Sequence, residues 1–149
     1  MNYILRKASS ADAGEIEELF VEMLRTVCPG NTPEGYEAGY LDKFFSAGED
    51  WICVAEYENT VIGFLSIEVH RPGNYIYLDD LSVTAEHRNK GVGTQLIFAA
   101  EKYARELGVD RILFHVEKAN KDAYRLYTRL GFSPETEEGS RIRMKKTVQ

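Results

Sequence analysis

The residues Arg88-Asn89-Lys90-Gly91-Val92-Gly93 set two cations and two glycines where a strand ending at Val83 gives way to a helix. The first amides of a helix lack intrahelical partners and lie at the positive end of its dipole, so such an entry suits a phosphate. Glycine at 91 and 93 removes side chains that would hold a phosphate off those amides, and Arg88 and Lys90 add positive charge beside them. Two familiar nucleotide loops do not fit. A P-loop needs four residues between its glycines, then Lys and Ser/Thr. A dinucleotide fingerprint needs a third glycine where this chain has Leu96. Just upstream, Asp79 and Asp80 form a carboxylate pair. Strand alternation sends their side chains to opposite faces, so one of the two is expected to face a substrate.

The elements that must hold these groups follow from periodicity. "YILRKA" (3–8) predicts a strand, and Ser9 or Ser10 then caps a helix with Ile16, Leu19, Phe20, Met23, Leu24 and Val27 on its inner stripe. "CPGNTPEG" (28–35) is dense in turn formers, and a second helix is expected over 34–46, with Tyr36, Tyr40, Leu41, Phe44 and Phe45 as its apolar side. Three strands at 51–57, 60–70 and 74–83, with short links, predict an antiparallel run. A strong helix from Gly91 closes at Gly108, followed by a strand over 110–117 and a helix over 120–132. A closing strand covers 140–148, and 133–140 is expected to be a loop.

Composition bounds the class. A chain of 149 residues, 44% hydrophobic and 28% charged, suits one α/β domain over 1–149. No apolar run approaches the roughly 20 residues of a membrane span, and no secretory signal opens the chain. Cys28 and Cys53 show no metal-ligand spacing and no disulfide framework, so a reduced, cytoplasmic protein without a metal is expected. The net charge of −6 argues against a nucleic-acid partner and suits a cationic substrate.

The turn and its flanks, "LSVTAEHRNKGVGTQLI", resemble the acetyl-coenzyme A signature of the GNAT superfamily of N-acetyltransferases: Arg/Gln-x-x-Gly-x-Gly/Ala after a strand ending in Val. A second segment, "VEKANKDAYRLYTRLGF", is similar to the family's C-terminal motif through Val116, Asn120, Ala123, Tyr127 and Gly131-Phe132. The resemblance implies an α/β (α+β) fold with a mixed, mostly antiparallel central sheet flanked by about four helices. It also implies that the backbone amides of Arg88, Asn89, Lys90, Gly91, Val92, Gly93 and Thr94 hold the coenzyme pyrophosphate. The backbone of Leu81 and Val83 would pair with the pantetheine arm as an added strand, and an amide of that stretch would polarise the acetyl carbonyl.

In the second motif Asn120, Ala123 and Tyr127 share a helix face, with Asn120 and Tyr127 about 10 Å apart along the axis. The resemblance implies that Asn120 bonds the pantetheine arm and that Tyr127 protonates the departing thiolate, which a phenol of pKa near 10 can do. At pH 7 deprotonating an alkylammonium costs about 4.6 kcal/mol, so a base is needed. "YLDDLSV" (77–83) resembles the Tyr-Leu-Glu-Asp stretch of polyamine acetyltransferases, which makes Asp79 the first candidate base and Asp80 the second. Asp is one methylene shorter than Glu, so a water relay is expected.

Of the histidines, His87 reads as a loop residue, His115 as a satisfied core residue, and His70 as able to line the acceptor site. Glu34, Glu37, Asp42, Glu49 and Asp50 fall where the family builds its acceptor pocket, though such charges more often form a solvated face. The function implied is transfer of acetyl from acetyl-coenzyme A to a primary amine of a small molecule, polyamine-like or otherwise, by direct attack in a ternary complex. Its rivals are acetylation of a protein N-terminus or lysine, and a non-catalytic acyl-coenzyme A binder that regulates. Homodimers are common in the family.

Overall fold

A computed structural model of the protein describes residues 2–27 and 34–148. Cys28 and most of the 28–35 turn lie outside the described residues. The strands are β1 (Ile4–Lys7), β2 (Trp51–Tyr57), β3 (Thr60–His70), β4 (Tyr75–Val83), β5 (Arg111–Glu117), β6 (Ser133–Glu138) and β7 (Arg141–Thr147). The α-helices among the described residues are α1 (Ala13–Val27), α2 (Asp42–Phe45), α3 (Val92–Leu107) and α4 (Lys121–Arg129). The strands pair in the order β1-β2-β3-β4-β5-β7-β6, and of the pairings whose register is described only β4–β5 is parallel. This is the mixed, mostly antiparallel α/β sheet with four helices that the sequence implied.

The chain divides into two compact units, Met1–Glu68 with Asp79–Ala100, and Val69–Leu78 with Glu101–Gln149. In the first unit, the Glu58-Asn59 link between β2 and β3 has positive φ at both residues, the backbone a two-residue hairpin requires. Ile16 and Leu19 of α1 are buried with Phe44, Ile52, Val54 and Phe64, and Phe20 packs against them, so this part of the predicted stripe faces the core. The start of α1 is pinned by Arg6, which donates from Nη1 and Nη2 to both oxygens of Asp12 at 2.9 Å and bonds Glu56 as well. That guanidinium holds the Asp12 carboxyl below its ordinary range. Cys53 is buried, which pushes its thiol up to about 11, so it packs as a small apolar residue.

The helix expected over 34–46 is reduced to Asp42–Phe45. Gly39 adopts φ +80, a left-handed conformation that ends any helix before it, and Leu41 begins a single turn. Tyr36 and Tyr40 therefore stand on irregular backbone, not on a helix face.

In the second unit the 133–140 segment is a strand through Glu138, not a loop. β6 carries Glu135, Glu137 and Glu138, mostly exposed, against the basic β7, and Arg143 pairs with Glu135 at 2.7 Å. Pro134 sits beside the register shift that skips Glu135, where a missing ladder donor is tolerated. An acidic, proline-bearing run hides its strand character until its basic partner is known. α4 and β5 bury Phe132 and Phe114 in this unit.

Candidate active site

In the first unit, Asp79 and Asp80 sit in the middle of β4, and two tyrosines from the 34–41 segment reach them. Tyr36 Oη donates to Asp80 Oδ2 at 2.8 Å, and Tyr40 Oη donates to Asp79 Oδ2. The two phenol rings stack at 4.7 Å and 13°, and Phe20 of α1 stacks on Tyr36 at 3.9 Å. The Asp80 N–H donates to Ser66 Oγ of β3 at 2.9 Å, which fixes its main chain.

Both carboxylates thus meet one tyrosine pair, contrary to the divergence that alternation predicts. The reason is local. Burial alternates along β4 from Tyr75 to Leu78 and then lapses, with Asp79, Asp80 and Leu81 all half-buried. Among the described residues neither carboxylate has an ion-pair partner, because Lys43, the nearby cation, is bound to Glu68 and lies 5.5 Å from the centre of the Tyr40 ring. Burial first, then the charge of Asp79, raises the Asp80 carboxyl to about 6, while the Tyr36 hydrogen bond opposes the rise. Burial and the neighbouring carboxylates push both phenols well above their ordinary value, so they remain donors.

The turn after β4 has the expected form. Gly91 has φ +83 and open space where a side chain would be, and α3 starts at Val92. Asn89 also has positive φ, at 60°. Gln95 N–H bonds the Gly91 carbonyl at 3.0 Å, so the amides of Val92, Gly93 and Thr94 belong to the first turn of α3, where helix geometry supplies no partner. These donors and the open glycine position fit an anionic phosphate group. Lys90 is exposed at the turn. The Arg88 side chain has partners of its own within the first unit. Its Nε donates to the Val83 carbonyl at 2.9 Å and its Nη2 lies 3.5 Å from Glu22, so it braces the turn. Leu81 lies beyond the described register of β4 with β5, which covers Tyr75 to Tyr77.

In the second unit, Asn120 caps α4, its Oδ1 accepting from Ala123 N–H at 3.2 Å. Its amide group retains two donors. Tyr127 lies about two turns further along the same face and packs edge-on against Phe114 at 4.5 Å and Phe132 at 6.4 Å. Burial raises its phenol, which keeps the proton on oxygen. Its hydroxyl makes no hydrogen bond among the described residues, so it is not spent on the fold.

The histidines are engaged structurally. His87 Nδ1 lies 2.9 Å from Tyr3 Oη, His115 joins Tyr77 and Glu138 through its two ring nitrogens, and His70 stacks on Tyr75. Glu34, Glu37, Asp42 and Glu49 are exposed and Asp50 is half-buried. Tyr36, Tyr40, Ser66 and Glu68 are the site residues that sequence reasoning missed. Two tyrosines four positions apart read as an apolar helix face, and nothing local shows that their hydroxyls find β4. No group of metal-ligating side chains is assembled among the described residues, and no helix there is long and apolar enough to cross a membrane.

Residues 13–132 match the model of the acetyltransferase (GNAT) family. The uncharacterized N-acetyltransferase YhfO of Bacillus subtilis (strain 168) is 31% identical over 137 residues, covering 89% of this chain and 91% of that protein. The uncharacterized N-acetyltransferase YobR of the same organism is 41% identical over 66 residues, 44% of this chain; the match spans only 27% of YobR. Among solved structures, the PaiA N-acetyltransferase of Thermoplasma acidophilum, in complex with coenzyme A, superposes with a TM-score of 0.82 at 22% identity, covering 99% of each chain.

Proposed function

This chain belongs to the GNAT family of acetyltransferases, whose acyl donor is acetyl-coenzyme A, and from that premise we propose that residues 1–149 act as one N-acetyltransferase domain for a primary amine of a small molecule. The observation that carries the choice of acceptor is the Asp79–Asp80 pair, half-buried, gripped by two phenols and without a counter-ion among the described residues. Such a pair attracts an ammonium and, at neutral pH, can take its proton.

The amides of the 88–94 turn bind the pyrophosphate, and the backbone of Leu81 and Val83 aligns the pantetheine arm as an extra strand. When bound, acetyl-coenzyme A supplies the acetyl group as a thioester open to attack by an amine. Asp80 receives the ammonium proton in this reading, and Asp79 keeps the second negative charge that draws the amine in. Asp80 is the first candidate base in this reading because burial and the neighbouring carboxylate raise its carboxyl to about 6. A backbone amide of β4 stabilises the charge developing on the carbonyl oxygen. Asn120 orients the arm through its free amide donors. Tyr127 gives its proton to the departing sulfur.

The coenzyme A complex of the PaiA protein, on the same fold, supports the donor half of this reading. The test is thiol release from acetyl-coenzyme A across polyamines, aminoglycosides, amino acids, glucosamine phosphate and short N-terminal peptides. Saturable turnover with a small amine is the expected result. Turnover confined to peptides would replace the small-molecule acceptor with a protein amine. Binding of acetyl-coenzyme A with no turnover on any acceptor would favour the regulatory binder.

A further inference from the structure

We propose that Tyr36 and Tyr40 are positioning residues, a stacked pair of phenols that orients Asp80 and Asp79 and decides which carboxylate takes the proton of the incoming ammonium. The inference rests on the amine-acetylation reading above and adds to it the device that sets the base.

Each hydroxyl is committed to one carboxylate, Tyr36 to Asp80 and Tyr40 to Asp79. The rings lie 4.7 Å apart and nearly parallel, so the two hydroxyl donors are held side by side against the carboxylate pair. The stack is held from both ends. Phe20 of α1 stacks on Tyr36, and Phe44 of α2 leans on Tyr40 at 6.1 Å. Phe44 is fully buried, so the brace is tied to the core even though the 34–41 backbone is irregular.

The groups facing Asp80 can be named for each element around it. On β4 there is Asp79; from β3 come Ser66, bonded to the Asp80 amide, and Glu68; from the 34–41 segment come Tyr36 and Tyr40. Lys43 of α2 is occupied by Glu68, and α1 presents the apolar Phe20 through the stack. Against this negative surrounding, Tyr36 is the donor that favours the ionised form of Asp80. Asp79, held by Tyr40, remains the charge that keeps Asp80 basic. In the transfer an ammonium N–H bond breaks and an O–H bond forms on the Asp80 oxygen that Tyr36 does not hold. The amine keeps the electron pair with which it attacks.

The test uses the full chain and two variants that retain the rings, Tyr36→Phe and Tyr40→Phe, with fold checked by circular dichroism and acetyl-coenzyme A affinity by calorimetry. Aspartate side-chain carbons are titrated by NMR without any acceptor, and thiol release is followed against pH with spermidine. In the wild type the Asp80 midpoint is expected near 6. Tyr36→Phe should raise it by about one pH unit, the scale of a lost hydrogen bond to a charged group, and shift the acidic limb of thiol release equally. Tyr40→Phe should move that limb less and raise the spermidine KM. An unmoved Asp80 midpoint in Tyr36→Phe overturns the proposal, and so does a moved midpoint with an unmoved acidic limb. A wild type that binds acetyl-coenzyme A but leaves spermidine untouched counts against a polyamine acceptor, while the midpoint still decides the role of Tyr36.

Discussion

The Tyr36 hydroxyl donates to the Asp80 carboxylate at 2.8 Å, joining residues 44 positions apart in sequence. That bond favours the charged carboxylate, yet burial and Asp79 outweigh it and leave Asp80 raised to about 6. An acid raised in the folded state is a cost to stability wherever it must ionise.

Replacing Asp80 by Asn should therefore stabilise the fold while removing activity. The folded Asp80 holds its proton up to about 6, whereas the unfolded chain releases it near 3.8, so wild-type stability falls as pH rises through that window. The penalty is absent below the lower value and complete above the upper one. The shift of about two units corresponds to about 3 kcal/mol at most, and about 1–2 kcal/mol after solvent screening. Urea denaturation should show Asp80→Asn more stable than wild type by that amount at pH 7, with the gap closing towards pH 4 (Asn still accepts from Tyr36). A gap that does not depend on pH would remove the titration of Asp80 as its cause.

Tyr127→Phe should lower turnover by about tenfold or more with little change in acetyl-coenzyme A affinity, because it deletes the proposed acid and keeps the ring. The edge-on contacts with Phe114 and Phe132 survive the change, so the melting temperature should hardly move. Thiol release and calorimetry on the same preparation check both halves. Unchanged turnover would take Tyr127 out of the reaction.

Gly91→Ala tests the turn through its backbone. A Cβ there would meet nothing within 4 Å, so crowding is not the issue; φ +83 is. A left-handed non-glycine residue costs about 1–2 kcal/mol, and relief of that strain would tilt the first amides of α3. Weaker acetyl-coenzyme A binding by calorimetry, together with a stability loss of that size, is the expected pair of results.

Lys146→Met probes the packing of the second unit. Lys146 Nζ donates to Glu101 Oε1 at 2.7 Å and to the Leu130 carbonyl at 2.8 Å, and Glu101 is buried. Its removal leaves that carboxylate with Arg105 at 3.9 Å, and a buried charge losing its close partner costs about 3–5 kcal/mol. Chemical denaturation should show this loss, and adding Glu101→Leu should recover much of it.

The elements whose signal is local were legible from residue order. The 51–57 and 60–70 strands are predicted with the bounds that β2 and β3 have, since runs of β-branched and aromatic residues and a short link between them are properties of neighbouring residues. The glycine turn after β4 was legible for the same reason, because glycine at a positive φ and a helix entry lie within a few positions. β6 was not legible. Its acids and Pro134 make sense only against Arg143 and Lys145, which the fold supplies.

Residue order alone was thus enough to recognise the family, to locate the turn and to place Asp79, Asp80, Asn120 and Tyr127 on strand and helix. Folding brought Tyr36 and Tyr40 to the carboxylates, turned the expected 34–46 helix into a brace, and gave Asp80 its raised pKa. The physical difference is one of range. Backbone propensity acts over a few bonds and can be read along the chain, whereas burial, ring stacking and the field of a neighbouring carboxylate depend on groups that meet only when distant segments pack.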